Sequence, residues 1–195
     1  MSSILLFLSM MIPITWSPGP NNIMCATVGG KKGVLKSIPF IMGVNLPIFL
    51  YSLATGFGLG IALQKAPFLI DGLKYAGGIY VLYLGWKIFT SDVDNISIKS
   101  EFRFIDGFII SALNAKIITA LVLMYSQFMS VESEKTYLVF LLSISFVSLC
   151  VFGHFMWAIT GDLASKLFQT PKALKVQNYI FSFMLFVVGI WIFIS

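Results

Sequence analysis

Six apolar runs follow one another along this chain, near residues 4–28, 37–63, 67–89, 105–129, 136–160 and 177–194. Most reach the roughly 20 residues that a helix needs to cross a bilayer. The last is shorter but rich in Phe, Ile and Val. Hydrophobic residues fill 58% of the 195 positions and charged residues only 11%, which is more apolar surface than a soluble domain of this length can cover. Lipid is therefore the solvent, and the backbone must satisfy its own polar groups. The expected fold is an all-α membrane protein of six transmembrane helices, one transporter domain over residues 1–195.

The first run is interrupted by Ser17-Pro18-Gly19-Pro20-Asn21-Asn22. Two prolines and a glycine stop a helix and leave backbone groups unpaired. At membrane depth such groups are tolerated only against protein or a water-filled cavity. A broken first helix followed by two amides thus predicts a polar site inside the bilayer, of the kind that half-helices build in transporters.

Lysine and arginine bias sets the orientation. The odd loops and their flanks hold Lys31, Lys32, Lys36, Lys87, Lys99, Arg103, Lys166, Lys172 and Lys175, whereas the even ones hold Lys65, Lys74 and Lys135. The odd loops are expected in the cytoplasm and both termini outside. The N-terminus lacks a cationic leader region, so the first span is expected to be retained. Three spans precede the polar stretch 90–103 and three follow it, which predicts an inverted 3+3 repeat, about 1–90 and about 104–195. The fourth span then needs its own interruption, and Ser111-Ala112-Leu113-Asn114-Ala115-Lys116 supplies one. The two interruptions would meet near the midplane.

Lys116 is the residue whose placement costs most, at least ~2.5–3.5 kcal/mol at the centre of a membrane helix. Either it pairs with an anion such as a substrate carboxylate, or it ties down carbonyls freed at the Pro18–Pro20 break. Asn21 and Asn22 either cap the second half-helix, whose positive end favours an anion, or hold a ligand ammonium or hydroxyl. Asn114 invites the same two readings. Asn45, beside Pro47, is a further buried amide, read either as a substrate contact or as an interhelical hydrogen bond. Thr119 would face a short side chain. His154 is the sole histidine, read as a packing residue or a proton relay. Asp106 and Asp162 lie near the cytoplasmic ends of spans four and five and complete the proton-coupling candidates.

Other classes find little support. Cys25 and Cys150 have no CxxC context and read as small buried side chains. The net charge of +5 is scattered in short clusters, which is no nucleic-acid footprint. Gly56-Phe57-Gly58-Leu59-Gly60 and Gly77-Gly78 lack the setting of a phosphate loop and read as helix packing. Trp16, Trp86, Tyr75, Tyr80, Tyr83, Trp157 and Trp191 read as belt or packing residues. No nucleophile–base pair, metal cluster or cofactor motif is evident, so the chain is expected to be no enzyme and to need no cofactor or metal.

The string Ser17-Pro18-Gly19-Pro20-Asn21-Asn22 resembles the Thr/Ser-Pro-Gly-Pro-Asn signature of the LysE/RhtB amino-acid exporters. The segment Leu73 to Lys87 resembles that family's Gly-x-x-Tyr-Leu-x-Tyr-Leu-Gly stretch. Asn114-Ala115-Lys116 is similar to its Asn-Pro-Lys motif, with Ala115 in place of proline. That departure, and Phe152 to Gly161, are similar to the cysteine/O-acetylserine exporter branch. The resemblance implies a bacterial inner-membrane exporter of small neutral amino acids, cysteine or O-acetylserine among them, working by alternating access and coupled to protons. Pro18, Gly19, Pro20, Asn21, Asn22, Asn45, Asn114, Lys116 and Thr119 would form the substrate site. The nearest rival is export of homoserine, threonine or leucine; a metal-ion exporter or a thiol-redox protein would need clustered ligands or a reactive cysteine pair. The partners implied are a small amino acid, protons and the lipid bilayer; a homo-oligomer is left open.

Overall fold

A computed structural model describes residues 3–59, 67–90, 102–129, 135–167 and 170–194. Lys65, Gly60, Lys99 and most of the stretch 90–103 lie outside the described residues. All regular structure among those described is helical. Helix α1 covers Ser3–Trp16, α2 Pro20–Lys32 and α3 Val34–Ala54, continued by a π turn over Thr55–Leu59. Next come α4 at Pro67–Phe89, α5 at Phe104–Ala112 and α6 at Ala115–Phe128. Helices α7 at Lys135–Leu167 and α8 at Pro171–Ile194 complete the chain.

Among the described residues, three helices are long and apolar enough to cross a membrane: Val34–Gly58, Thr136–Leu167 and Lys175–Ile194. The pair α5–α6, bent by 61°, counts as a fourth span if taken together. The six-run expectation exceeds this for two reasons. Helices α1 and α2 are each too short to span, with 14 and 13 residues. Helix α4 has 23 residues but carries Asp71, Lys74 and Lys87. The last two helices also begin earlier or run longer than the apolar runs, since α7 continues to Leu167 and α8 starts at Pro171.

Large apolar side chains lie exposed around the perimeter, including Leu35, Met42, Ile79, Ile144, Phe183 and Trp191, as expected for a surface that meets acyl chains rather than water. The interior is filled by Met24, Phe40, Ile48, Leu84, Leu121, Met124 and Phe146. Helices cross where glycine lets backbones touch. Gly29 of α2 rests on the Ala158 backbone of α7, and Gly161 of α7 rests on the Ala26 backbone of α2. The crossing of α3 with α5 repeats this design, with Gly43 on Phe104 and Gly107 on Phe40. In each helix the two contact residues are three apart, so both lie on one face. Helix α4 packs along α8 through Gly78 against Phe193, Gly85 against Phe186 and Gly189 against Leu82.

One end of the molecule gathers the basic residues. Lys31 and Lys87 place their ammonium groups 5.9 and 5.0 Å from the ring centre of buried Phe102. Lys32 donates to the Phe102 carbonyl at 3.0 Å. Burial, and then the neighbouring Lys87, push Lys31 down to about 8.

Candidate functional site

Pro13 lies in α1 and Pro18 and Pro20 follow it, so the chain between Trp16 and Pro20 is not helical. Three carbonyls at the end of α1 are thereby left without helical partners, and side chains take them. Asn22 Nδ2 donates to Thr15 O and to Ser17 O, both at 2.8 Å. Trp157 Nε1 donates to Trp16 O at 3.1 Å. Lys116 Nζ donates to Ser17 Oγ at 2.8 Å and to Ser17 O at 3.3 Å. Neither amide caps α2, whose N-cap is the extended residue Gly19 with no side-chain bond; Asn21 and Asn22 are already inside the helix, and Asn22 serves the preceding helix instead.

The second junction is built in a parallel way. Helix α5 stops at Ala112, whose carbonyl accepts from Tyr51 Oη at 2.8 Å. Asn114 restarts the chain as N-cap of α6, its Oδ1 accepting from Lys116 N at 3.2 Å. A proline is thus not needed for the break at Ala115. Asn21 Nδ2 donates to Ser111 Oγ at 3.2 Å, which joins the two junctions directly. The structure brings together Pro18, Gly19, Pro20, Asn21, Asn22, Asn114 and Lys116.

A cavity of about 620 Å³ lies between the junctions, bounded also by α4 and α8. Ser17, Pro18, Gly19, Pro20, Asn114, Lys116 and Thr119 line it, as do Asp71, Lys74 and Trp191. Lys116 is half-buried at its wall, and Gly19 leaves room for it: a Cβ there would come within 3.2 Å of Nζ. Thr119 is exposed and returns its hydroxyl to Ala115 O at 3.1 Å. Asn21 and Asn22 line a second, much smaller space of about 20 Å³, which also has Lys116 in its wall, together with Cys150 and His154.

Asn45 stands apart from the large cavity. Its Nδ2 donates to Ile41 O at 2.7 Å, and its Oδ1 lies 3.1 Å from Nδ1 of buried His154. Asp106 accepts from Arg103 N at 2.9 Å and so caps α5. Asp162 pairs with Lys166 at 2.8 Å. Both acids lie at the basic end, and neither lines the two cavities.

Several contributors escape a reading of the sequence. Trp16 and Trp157 look like belt residues, yet Trp16 Nε1 donates to Leu149 O at 3.1 Å and Trp157 holds the first junction. Tyr125, Ser52 and Ser143 form a buried hydroxyl triangle with edges of 2.9 to 3.2 Å that ties α3, α6 and α7.

Comparison with known proteins identifies the family. The profile of the LysE type translocator family matches residues 12–195. The chain is 28% identical over 155 residues, 78% of its own length and 79% of theirs, to cysteine/O-acetylserine efflux proteins of Escherichia coli strain K12 and of Shigella flexneri serotype 5b. A protein of the same name in Escherichia coli O1:K1 matches at the same level. No solved structure matches. With a family match over nearly its whole length and two helix junctions closed around one lysine, this chain belongs to the LysE type translocators.

Proposed function

We propose that this protein exports small neutral amino acids, cysteine or O-acetylserine among them, across a bacterial inner membrane by alternating access. The observation that carries this reading is the Lys116 ammonium at the wall of a cavity between two helix junctions. Two of its N–H groups go to Ser17, which leaves the third for a carboxylate. The N-terminal end of α2 beside it adds positive potential. Thr119 and the apolar wall formed by Leu123 and Val188 receive the side chain. Among the described residues that line the cavity, the carboxylate of Asp71 is accompanied by the ammonium groups of Lys74 and Lys116, a balance that suits a zwitterion better than a dication.

In this reading α1 and α2 are halves of one broken first span, α5 and α6 halves of the fourth, and the chain is an inverted 3+3 repeat of six spans. Two features support it. The carbonyl at the first break is held by an aromatic of α7, and that at the second by an aromatic of α3. These would be the middle helices of opposite repeats. Basic residues crowd one end, which the charge rule places in the cytoplasm, with both termini outside. The cavity then opens outward, and the glycine crossings of α2 with α7 and α3 with α5 close the cytoplasmic side.

The test is counterflow of labelled O-acetylserine in liposomes containing the wild type or Lys116→Ala. Loss of a charge-assisted bond predicts at least a tenfold loss in apparent affinity. Unchanged counterflow in a well-inserted variant would overturn the role of Lys116. The cavity is also wide enough for homoserine, threonine and leucine, so the same assay run with each separates the two substrate groups.

A further inference from the structure

The small chamber beside Lys116 has an unusual wall. Asn21 and Asn22 are 4% and 3% exposed. Their amino groups are turned away to Ser111 Oγ and to the carbonyls of Thr15 and Ser17. Their Oδ1 atoms are buried with no hydrogen-bond partner among the described residues. Two oxygens that can only accept thus require a donor. At about 20 Å³ the chamber exceeds the roughly 10–15 Å³ that one water needs, and it is far too small for an amino acid.

The histidine in the wall has a determined tautomer. Asn45 gives its amino group to Ile41 O, so the Oδ1 that faces His154 Nδ1 can only accept. Nδ1 therefore carries the proton, and Nε2 is the basic nitrogen. The titratable groups lining the chamber are Lys116 of α6 with Cys150 and His154 of α7; the polar residues from α1 and α2, Thr15, Asn21 and Asn22, are neutral, as is Asn45 of α3 behind the imidazole. No described carboxylate lines it.

We propose that the chamber holds one water that links Lys116 to His154 and carries the coupling proton between them. With no carboxylate in the cavity, the water accepts the third N–H of Nζ and donates to Asn21 and Asn22 Oδ1 or to Nε2. In the transfer, the ammonium gives a proton to the water oxygen as the water gives one to Nε2. The ammonium becomes an amine, the imidazole becomes imidazolium, and the water and the total charge are unchanged. This rests on the proposed function in one respect: a substrate carboxylate on the cavity side keeps the proton on Lys116, and its departure frees that proton toward His154.

The experiment uses the full-length protein in liposomes and O-acetylserine as probe, with two readouts: counterflow at equal pH, and accumulation driven by a pH gradient. The variants are His154→Gln, which keeps a hydrogen-bonding side chain, and Cys150→Val, which fills the chamber without touching a basic group. Neither position lines the large cavity. A one-unit gradient should drive accumulation on the order of tenfold in the wild type for one proton per substrate. Both variants should keep counterflow within about twofold and lose the accumulation, as expected when a preorganised polar link is removed while substrate binding is spared. Gradient-driven accumulation at the wild-type level in either variant overturns the proposal, as does a wild type whose counterflow is intact but indifferent to the gradient. Absence of counterflow in the wild type overturns the transport reading and this inference with it.

Discussion

At the scale of single residues, the end of α1 is held by side chains from three other helices. Trp157 is the simplest to remove: Trp157→Phe keeps an aromatic ring, although a smaller one, and leaves Trp16 O without its donor. Unfolding in detergent should show a loss of about 1 kcal/mol, within the range for an orphaned buried acceptor. A variant as stable as the wild type would show that the bond is dispensable. The Pro18–Pro20 string made this break legible in the sequence, because proline stops helices by itself. Its partners were not legible, since Trp16 and Trp157 are 141 positions apart and a tryptophan near a membrane surface has a more ordinary use. Lys31 gives a second residue-scale prediction. Burial and Lys87 push it down to about 8, so between about 8 and its ordinary value near 10.5 the unfolded chain binds the extra proton. Stability should therefore rise as pH climbs through that window. Melting curves across it should flatten in Lys31→Met; the same slope in both proteins would contradict the placement.

At the scale of elements, the glycine crossings decide which helices touch. A methyl at Gly161 would collide with the Ala26 backbone, whereas one at Gly72 on α4 meets nothing within 4 Å. Gly161→Ala should then lose ~1–3 kcal/mol through overpacking, and Gly72→Ala should gain roughly 0.5–1 kcal/mol of helix propensity. Thermal unfolding of the two in parallel checks the contrast, and equal effects would refute the packing. Helix positions followed from the apolar runs, but these crossings did not: Gly43, Gly107 and Gly161 stand singly, and Gly29, though doubled by Gly30, sits beside the Lys31-Lys32 pair rather than in an apolar string like that around Gly77 and Gly78. Those two do pack closely, Gly77 on the Leu113 carbonyl and Gly78 on Phe193. Gly58 differs, with φ +117 and open space around it, and breaks the helical backbone inside the π turn. The bend of 61° between α5 and α6 was visible as a polar interruption and survives the loss of proline, because Asn114 caps one helix and Tyr51 the other.

At the scale of the whole molecule, the two junctions converge on Lys116 and leave one large cavity and one small chamber beside it. Sequence pattern located the residues of this convergence, since proline, asparagine and lysine are conspicuous in apolar runs. It grouped Asn45 with the substrate site, whereas the structure places that amide against His154, a partner 109 positions away that no local pattern reveals. The proposed orientation and substrate site can be tested together by labelling Thr119→Cys, in a background without Cys25 and Cys150, with a thiol reagent that does not cross membranes. Thr119 is exposed in the large cavity, three residues beyond Lys116. The account predicts labelling from the outer face, slowed severalfold by O-acetylserine, with the protection lost when Lys116→Ala is added. Labelling that O-acetylserine leaves unchanged, in a protein that still transports it, would contradict the account.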